Sequence, residues 1–252
     1  MYTRIKTTAE IDAMRTGGKM LATVLVGLKG YMQSGMSTKD LAEFAKKELH
    51  ALGGKPAFLG YQGFPDVLCV SVNEQVVHGI PRATRLIQTG DIVSMDFGVL
   101  YKGLITDAAI SVIVGESTDS KLNNLVCQTE ISMYAGIDQL KAGVRVGDIG
   151  QAVQTVLDNG GYGIVRDLVG HGVGHELHED PNIPNYGKKG SGPMLEAGMT
   201  IAIEPMATIG SGKVELDKDN WTILTQDGSM SAHFEHTVLI TQNGYEILTQ
   251  IT

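Results

Sequence analysis

Apolar residues near the N-terminus recur at helical spacing, with Ile11, Met14, Leu21, Leu25 and Leu28 on one face. Thr7-x-x-Glu10, just ahead of them, has the spacing of a capping box and predicts where that helix starts. A second run, Leu41, Phe44, Ala45 and Leu49, follows Ser37-x-x-Asp40 and stops at Gly53-Gly54. Two further helices are predicted. One covers about 119–140 with Leu122, Val126, Met133, Ile137 and Leu140; the other runs from Gly147 to Asn159 with Ile149, Val153, Val156 and Leu157 and closes at Gly160-Gly161. Val- and Ile-rich runs bounded by turn residues predict strands over 66–77, 91–113, Met199–Ile203, Trp221–Leu224 and Phe234–Ile240. Asp40 and Asp148 read as structural acids at helix N-termini.

The order of elements repeats. Gly35 recurs as Gly143, Asp40 as Asp148, Gly53 as Gly161, Gly90 as Gly198 and Asp96 as Glu204, each 108 residues further on. "QTGDIVSMDFG" is thus answered by "EAGMTIAIEPM". Each half is a helix pair around a strand that ends in an acid, which implies a duplicated α+β unit.

At 252 residues, with 42% hydrophobic and 19% charged content, the chain is long enough for one large domain or two small ones. A net charge of −8 argues against broad nonspecific binding of nucleic acid. No apolar run approaches the ~18 residues needed to span a bilayer, and no secretory h-region follows Met1–Lys6, so no membrane association is expected. Cys69 and Cys127 are the only cysteines and form no disulfide framework, which points to the cytoplasm. The 32 glycines are neither periodic nor clustered into a linker, so they signal tight turns and close backbone approaches.

Three clusters carry chemistry. Asp96 and Asp107 lie on consecutive strands around Tyr101-Lys102-Gly103. A hairpin centred on 101–102 would set them directly opposite one another on one face. Two facing carboxylates repel unless a proton or a metal lies between them; the alternative is that one is an exposed turn acid. The second cluster, Gly170-His171-Gly172-Val173-Gly174-His175-Glu176-Leu177-His178-Glu179-Asp180, is either a ligand-facing loop or a solvated polar one. It is not the zincin motif, because Glu179 stands where the second histidine would be needed. The third holds Glu204, ending an apolar strand, and Glu235, costly to bury unless paired or metal-bound. His233 shares the face of Glu235, so it is either a partner standing behind the site's carboxylates or, as the preferred reading, a surface histidine. Four carboxylates with one or two imidazoles suit two divalent metals sharing bridging ligands, and suit a cysteine-rich zinc site badly.

Asp96 in "SMDFG", Asp107 in "ITDAA", His171 in "GHGVG", Glu204 in "IAIEP" and Glu235 in "FEHT" resemble, in order and spacing, the five metal ligands of the methionine aminopeptidases. "CVSVNEQVVHGIP", which contains His78, matches a further signature of that family. The resemblance covers essentially the whole chain and fits the short type I form.

The resemblance implies the pita-bread fold, an α+β arrangement of two pseudo-twofold-related halves around a curved antiparallel sheet with helices outside. It implies one catalytic domain over 1–252, with halves of about 1–115 and 116–252. By the same resemblance Asp96 chelates one metal, His171 and Glu204 hold the other, and Asp107 and Glu235 bridge. Two divalent ions (Co, Mn, Fe or Zn) would share a hydroxide that attacks the scissile carbonyl, with Glu204 as proton shuttle. His178 would contact the scissile peptide, His78 would position the substrate, and Tyr61, Phe64, Cys69 and Trp221 would line the methionine pocket. The implied activity is removal of the initiator methionine from nascent proteins when the second residue is small, by a monomer in transient contact with the ribosome. Leu177 departs from the family, standing where many relatives carry an aromatic; His175 and Glu176 also differ from several relatives. The chain begins Met1-Tyr2, and Tyr is too large for the confined site beside the metals, so it is expected to keep its own Met1. Two other readings share parts of the pattern. An Xaa-Pro peptidase of the same fold usually carries a separate N-terminal domain, and a non-catalytic relative usually loses metal ligands.

Overall fold

The computed structural model describes residues 5–251, so the Met1-Tyr2 expectation falls outside the described residues. Four α-helices form where caps and periodicity place them. Helix α1 (Thr8–Tyr31) opens on a capping box in which Thr7 N–H donates to Glu10 Oε2 at 2.7 Å. Helix α2 (Thr38–Leu52) opens on the Ser37/Asp40 box and ends at Gly53, whose φ of 82° is the left-handed conformation that glycine adopts without strain. Helix α3 (Ser120–Ile137) and helix α4 (Val146–Gly160) follow, and Gly161 closes α4 with φ 73°.

The repeat is a repeat of geometry. Helix α4 is α2 displaced by 108 residues at both ends, and Asp148 caps it as Asp40 caps α2. Gly35 and Gly143 have φ of 92° and 90°, and Gly90 and Gly198 have 93° and 91°. The same offset relates the Gly35 N–H bond to Ile87 O and the Gly143 N–H bond to Leu195 O, both 2.8 Å. It also relates the bridge Ser37–Leu86 to Arg145–Met194.

The halves join in a nine-stranded antiparallel sheet. Its main path runs Lys55–Pro56, Ile92–Tyr101, Leu104–Ile113, Glu235–Ile240, Thr200–Ile203, Gly170–Gly172 and Glu179–Ile183. The seam is the pairing of Leu104–Ile113 with Glu235–Ile240, where Ala109 lies opposite Glu235. Strand alternation decides which side chains meet the helices. Val93, Met95, Phe97 and Val99 enter a core with Leu21, Leu25, Leu28, Leu41 and Leu49 of α1 and α2. Ile201, Ile203, Val238 and Ile240 do the same with Met133, Ile137 and Ile149 of α3 and α4. The intervening positions, Asp96, Asp107 and Glu235 among them, are left to the opposite face.

One expected register is corrected. The two-residue turn is Lys102-Gly103, with φ of 49° and 83°, rather than a turn centred on 101–102. Asp107 therefore lies opposite Gly98, and Asp96 opposite Ala109. A glycine at the second turn position relieves the left-handed strain there, which draws the turn one residue toward the C-terminus. The resulting shift of two residues keeps both carboxylates on one face as diagonal neighbours. Among the described residues, no helix is long and apolar enough to cross a membrane.

Candidate metal centre

Each acid reaches the site by a different piece of backbone. Asp96 and Asp107 project from the 92–113 hairpin, Glu235 begins its strand, and Glu204 follows Thr200–Ile203 just ahead of Pro205. Asn185 donates to Glu204 O at 3.0 Å. Beneath the site, Asp107 N–H donates to Thr237 Oγ1 at 2.9 Å and Thr237 Oγ1 donates to Asp107 O at 2.7 Å, which locks the seam. His171 sits in the Gly170–Gly172 strand with Nδ1 2.9 Å from Gly172 O. A carbonyl only accepts, so Nδ1 carries the proton and the Nε2 lone pair faces the acids, 3.4 Å from Glu204 Oε1.

Ligand atoms of Asp107, His171 and Glu235 all lie within 4.8 Å of one another, and all three residues are buried. Asp96 and Glu204 complete the ring around the same cavity. Burial, reinforced by repulsion among the acids, pushes Asp96, Glu204 and Glu235 well above the usual carboxylate range, and burial drives Asp107 up to about 7. Burial also lowers His171 to about 3 and His78 to about 4, so both imidazoles are neutral, as metal ligands and hydrogen-bonding groups require. Asp96 Oδ1, Asp107 Oδ1 and Glu235 Oε1 are buried with no hydrogen-bond partner. Unsatisfied buried carboxylate oxygens are costly, and a divalent cation satisfies several at once. The oxygen-rich donor set with one imidazole fits such ions.

The cavity, about 150 Å³, is lined by every residue expected of the site: the four acids and His171 above, His78, His178, Tyr61, Phe64, Cys69 and Trp221. Its apolar wall is a buried cluster of Phe58, Phe64, Cys69 and Leu177, with Tyr61 and Trp221 against it. Phe64 meets Trp221 edge-on at 5.2 Å. His178 stands edge-on to His171 at 4.4 Å, its Nδ1 2.9 Å from Tyr61 OH.

Sequence reasoning left out Phe58, marked Leu177 only as a departure from the family at the pocket wall, and misplaced His233. Phe58 lines the cavity, and its signal is Gly98: a Cβ there would stand 2.5 Å from Phe58 Cε1. Leu177 proves to be a buried part of the apolar wall. His233 is not at the surface: it is 2% exposed, with Nε2 3.8 Å from Glu204 Oε2. Its strand, Ser231–His233, turns its side chain under Glu204 because it pairs with Met206–Thr208 just beyond that residue.

A duplicated α+β fold with an acid-rich metal centre on its seam defines a class, and comparison with known families identifies it. The profile of metallopeptidase family M24 matches residues 12–242, and the chain belongs to that family. Within it the chain falls among the methionine aminopeptidases. It is 44% identical to methionine aminopeptidase 1 of Bacillus subtilis (strain 168) over 246 residues, 98% of each chain. The crystal structure of methionine aminopeptidase from Thermotoga maritima superimposes with a TM-score of 0.97 at 46% identity, covering 99% of this chain and 100% of that one. Prolidase from Pyrococcus furiosus shares the fold alone, with a TM-score of 0.80 at 23% identity, 98% of this chain and 66% of that one. The architecture is the pita-bread fold.

Proposed function

We propose that the chain is a metal-dependent methionyl aminopeptidase that removes the initiator methionine from nascent proteins whose second residue is small. The observation that carries this reading is the meeting, in one cavity, of buried unsatisfied carboxylates with an apolar wall sized for one side chain. Asp96 would hold one divalent ion, His171 and Glu204 a second, and Asp107 and Glu235 would bridge the two. Two such ions, when bound, supply Lewis acidity and a water acidified into the neutral range. Their identity among Co, Mn, Fe and Zn does not follow from the donor set.

The chain's own groups do the rest. Phe58, Phe64, Cys69, Leu177 and Trp221 enclose the thioether side chain and exclude water from it. With Tyr61 O–H donating to Nδ1, His178 presents Nε2–H to the scissile carbonyl oxygen, where negative charge grows in the transition state. His78, held neutral by burial, orients the peptide beside Trp221. Glu204, on the wall of the same cavity, would as a carboxylate take a proton from the attacking water and return it to the leaving amine.

The whole chain acts as one catalytic domain, with halves of about 1–115 and 116–252. Cys69 and Cys127 are free thiols, which suits a reducing cytoplasm; the monomeric state and transient work at the ribosome are carried over from the family resemblance.

The test is methionine release from Met-Ala-Ser, Met-Tyr-Ser and an Xaa-Pro peptide by protein stripped with chelator and then reloaded with each metal. Metal-dependent cleavage of Met-Ala-Ser alone is expected. Equal cleavage of Met-Tyr-Ser, or preference for the Xaa-Pro peptide, overturns the assignment.

A further inference from the structure

We propose that Lys6, in the segment ahead of α1, is a positioning residue for the reaction: its buried ammonium, acting through Glu179, fixes the turn that carries His178. The inference rests on the peptidase reading above and extends it to residues outside the cavity.

The turn between the Gly170–Gly172 and Glu179–Ile183 strands, residues 173–178, includes one glycine, Gly174, and the register shifts where the two strands pair. Backbone bonds tie its first residues, Val173 N–H to Thr200 O at 3.1 Å and Ile105 N–H to Gly174 O at 2.7 Å, and Glu179 holds the part that leads to His178. Its Oε1 accepts from the N–H groups of His175 at 2.6 Å and Glu176 at 3.1 Å, gripping two successive amides just before His178. Its Oε2 accepts from Lys6 Nζ at 2.7 Å, and the two side chains are 0% and 4% exposed. Lys6 is anchored in turn, since its own N–H donates to Gly198 O at 2.9 Å. The fit is close: a Cβ on Gly174 would stand 2.4 Å from Lys6 Cε. The N-terminal segment takes a second hold through Glu10, whose Oε1 lies 2.7 Å from His175 Nε2.

A buried carboxylate keeps its charge, and with it its grip on two amides, only while an opposite charge stands beside it. Lys6→Met keeps the length of the side chain and removes the ammonium. Glu179 then moves toward solvent, the amides of His175 and Glu176 lose their acceptor, and His178 leaves its place beside Tyr61. Lys6 and Glu179 do not line the cavity, so the effect reaches the chemistry through His178.

The experiment is a double-mutant cycle on the metal-loaded enzyme, with kcat and KM for Met-Ala-Ser and Tm measured for wild type, Lys6→Met, His178→Ala and the double variant. Lys6→Met is expected to lower kcat about tenfold or more with KM within about threefold, because the lost contact is made in the transition state. In the His178→Ala background the same change is expected to lower kcat by less than about twofold. An unchanged kcat in Lys6→Met, or equal losses in both backgrounds, overturns the proposal and leaves the pair a purely structural one. Glu179→Gln, which retains an oxygen for the two amides, enters the same cycle and decides the question where Lys6→Met does not fold. Wild-type enzyme without Met-Ala-Ser turnover refutes the peptidase reading instead.

Discussion

Removing divalent metal is predicted to destabilise the protein, and to do so more as the pH rises. Without metal, burial holds Asp96, Glu204 and Glu235 well above their ordinary values and Asp107 at about 7, against 3.8 for a free aspartate. An acid raised on folding contributes its stability below its unfolded value and loses it as pH climbs through the folded one. Each pH unit in that window is worth about 1.4 kcal/mol per group. Between about pH 5.5 and about pH 8, Asp107 alone therefore withdraws roughly 2 kcal/mol from the metal-free protein. At this chain length about 1 kcal/mol moves Tm by roughly 2–4 °C, so the shift is roughly 4–8 °C before the other three acids add to it. In the loaded protein cations take the place of those protons. The gap in Tm between loaded and chelated samples cancels every titration the two states share. Calorimetry at the two pH values is expected to show the gap widening at the higher one. A gap that is equal or narrower there refutes the burial argument for these carboxylates.

Other perturbations separate the apolar wall from the scaffold. Phe64→Ala removes a ring that is 3% exposed, and the loss of about 1.5–3 kcal/mol of apolar contact predicts a roughly 10- to 100-fold fall in kcat/KM for Met peptides with metal stoichiometry unchanged. Gly98→Ala forces Phe58 into the cavity and is expected to raise KM for Met-Ala-Ser while the protein still binds metal. Asp40→Ala and Asp148→Ala remove equivalent capping acids and are each expected to cost about 1 kcal/mol in denaturant melts, with kcat intact. Loss of activity in either would contradict their structural role.

Much of the scaffold was legible because its signals are local. Ser37-x-x-Asp40 and Gly53 bracket α2 in the sequence as they do in space, and the offset that repeats them finds α4 as well. The acids on the 92–113 hairpin were legible as one face despite the wrong turn centre, because a slip of two residues preserves strand facing. Contacts between distant segments were not legible. Phe58 enters the site only because Gly98 clears room for its ring, and His233 is buried only because its strand pairs with Met206–Thr208. The Lys6–Glu179 pair spans 173 positions and leaves no periodicity at either end. Metal ligands announce themselves by costly residue types on apolar strands, whereas the groups that position them are chosen by tertiary packing.

The central claim, that the buried acids bind the metals on which methionine release depends, is tested most directly with Asp107→Asn. Metal content and methionine release from Met-Ala-Ser are measured on the same folded sample. Wild type is predicted to bind two divalent ions and release methionine. The variant is predicted to bind no more than one, with turnover lowered about 100-fold or more, as the role proposed for Asp107 between the two ions requires. A folded Asp107→Asn protein with two bound ions and wild-type turnover would contradict the account.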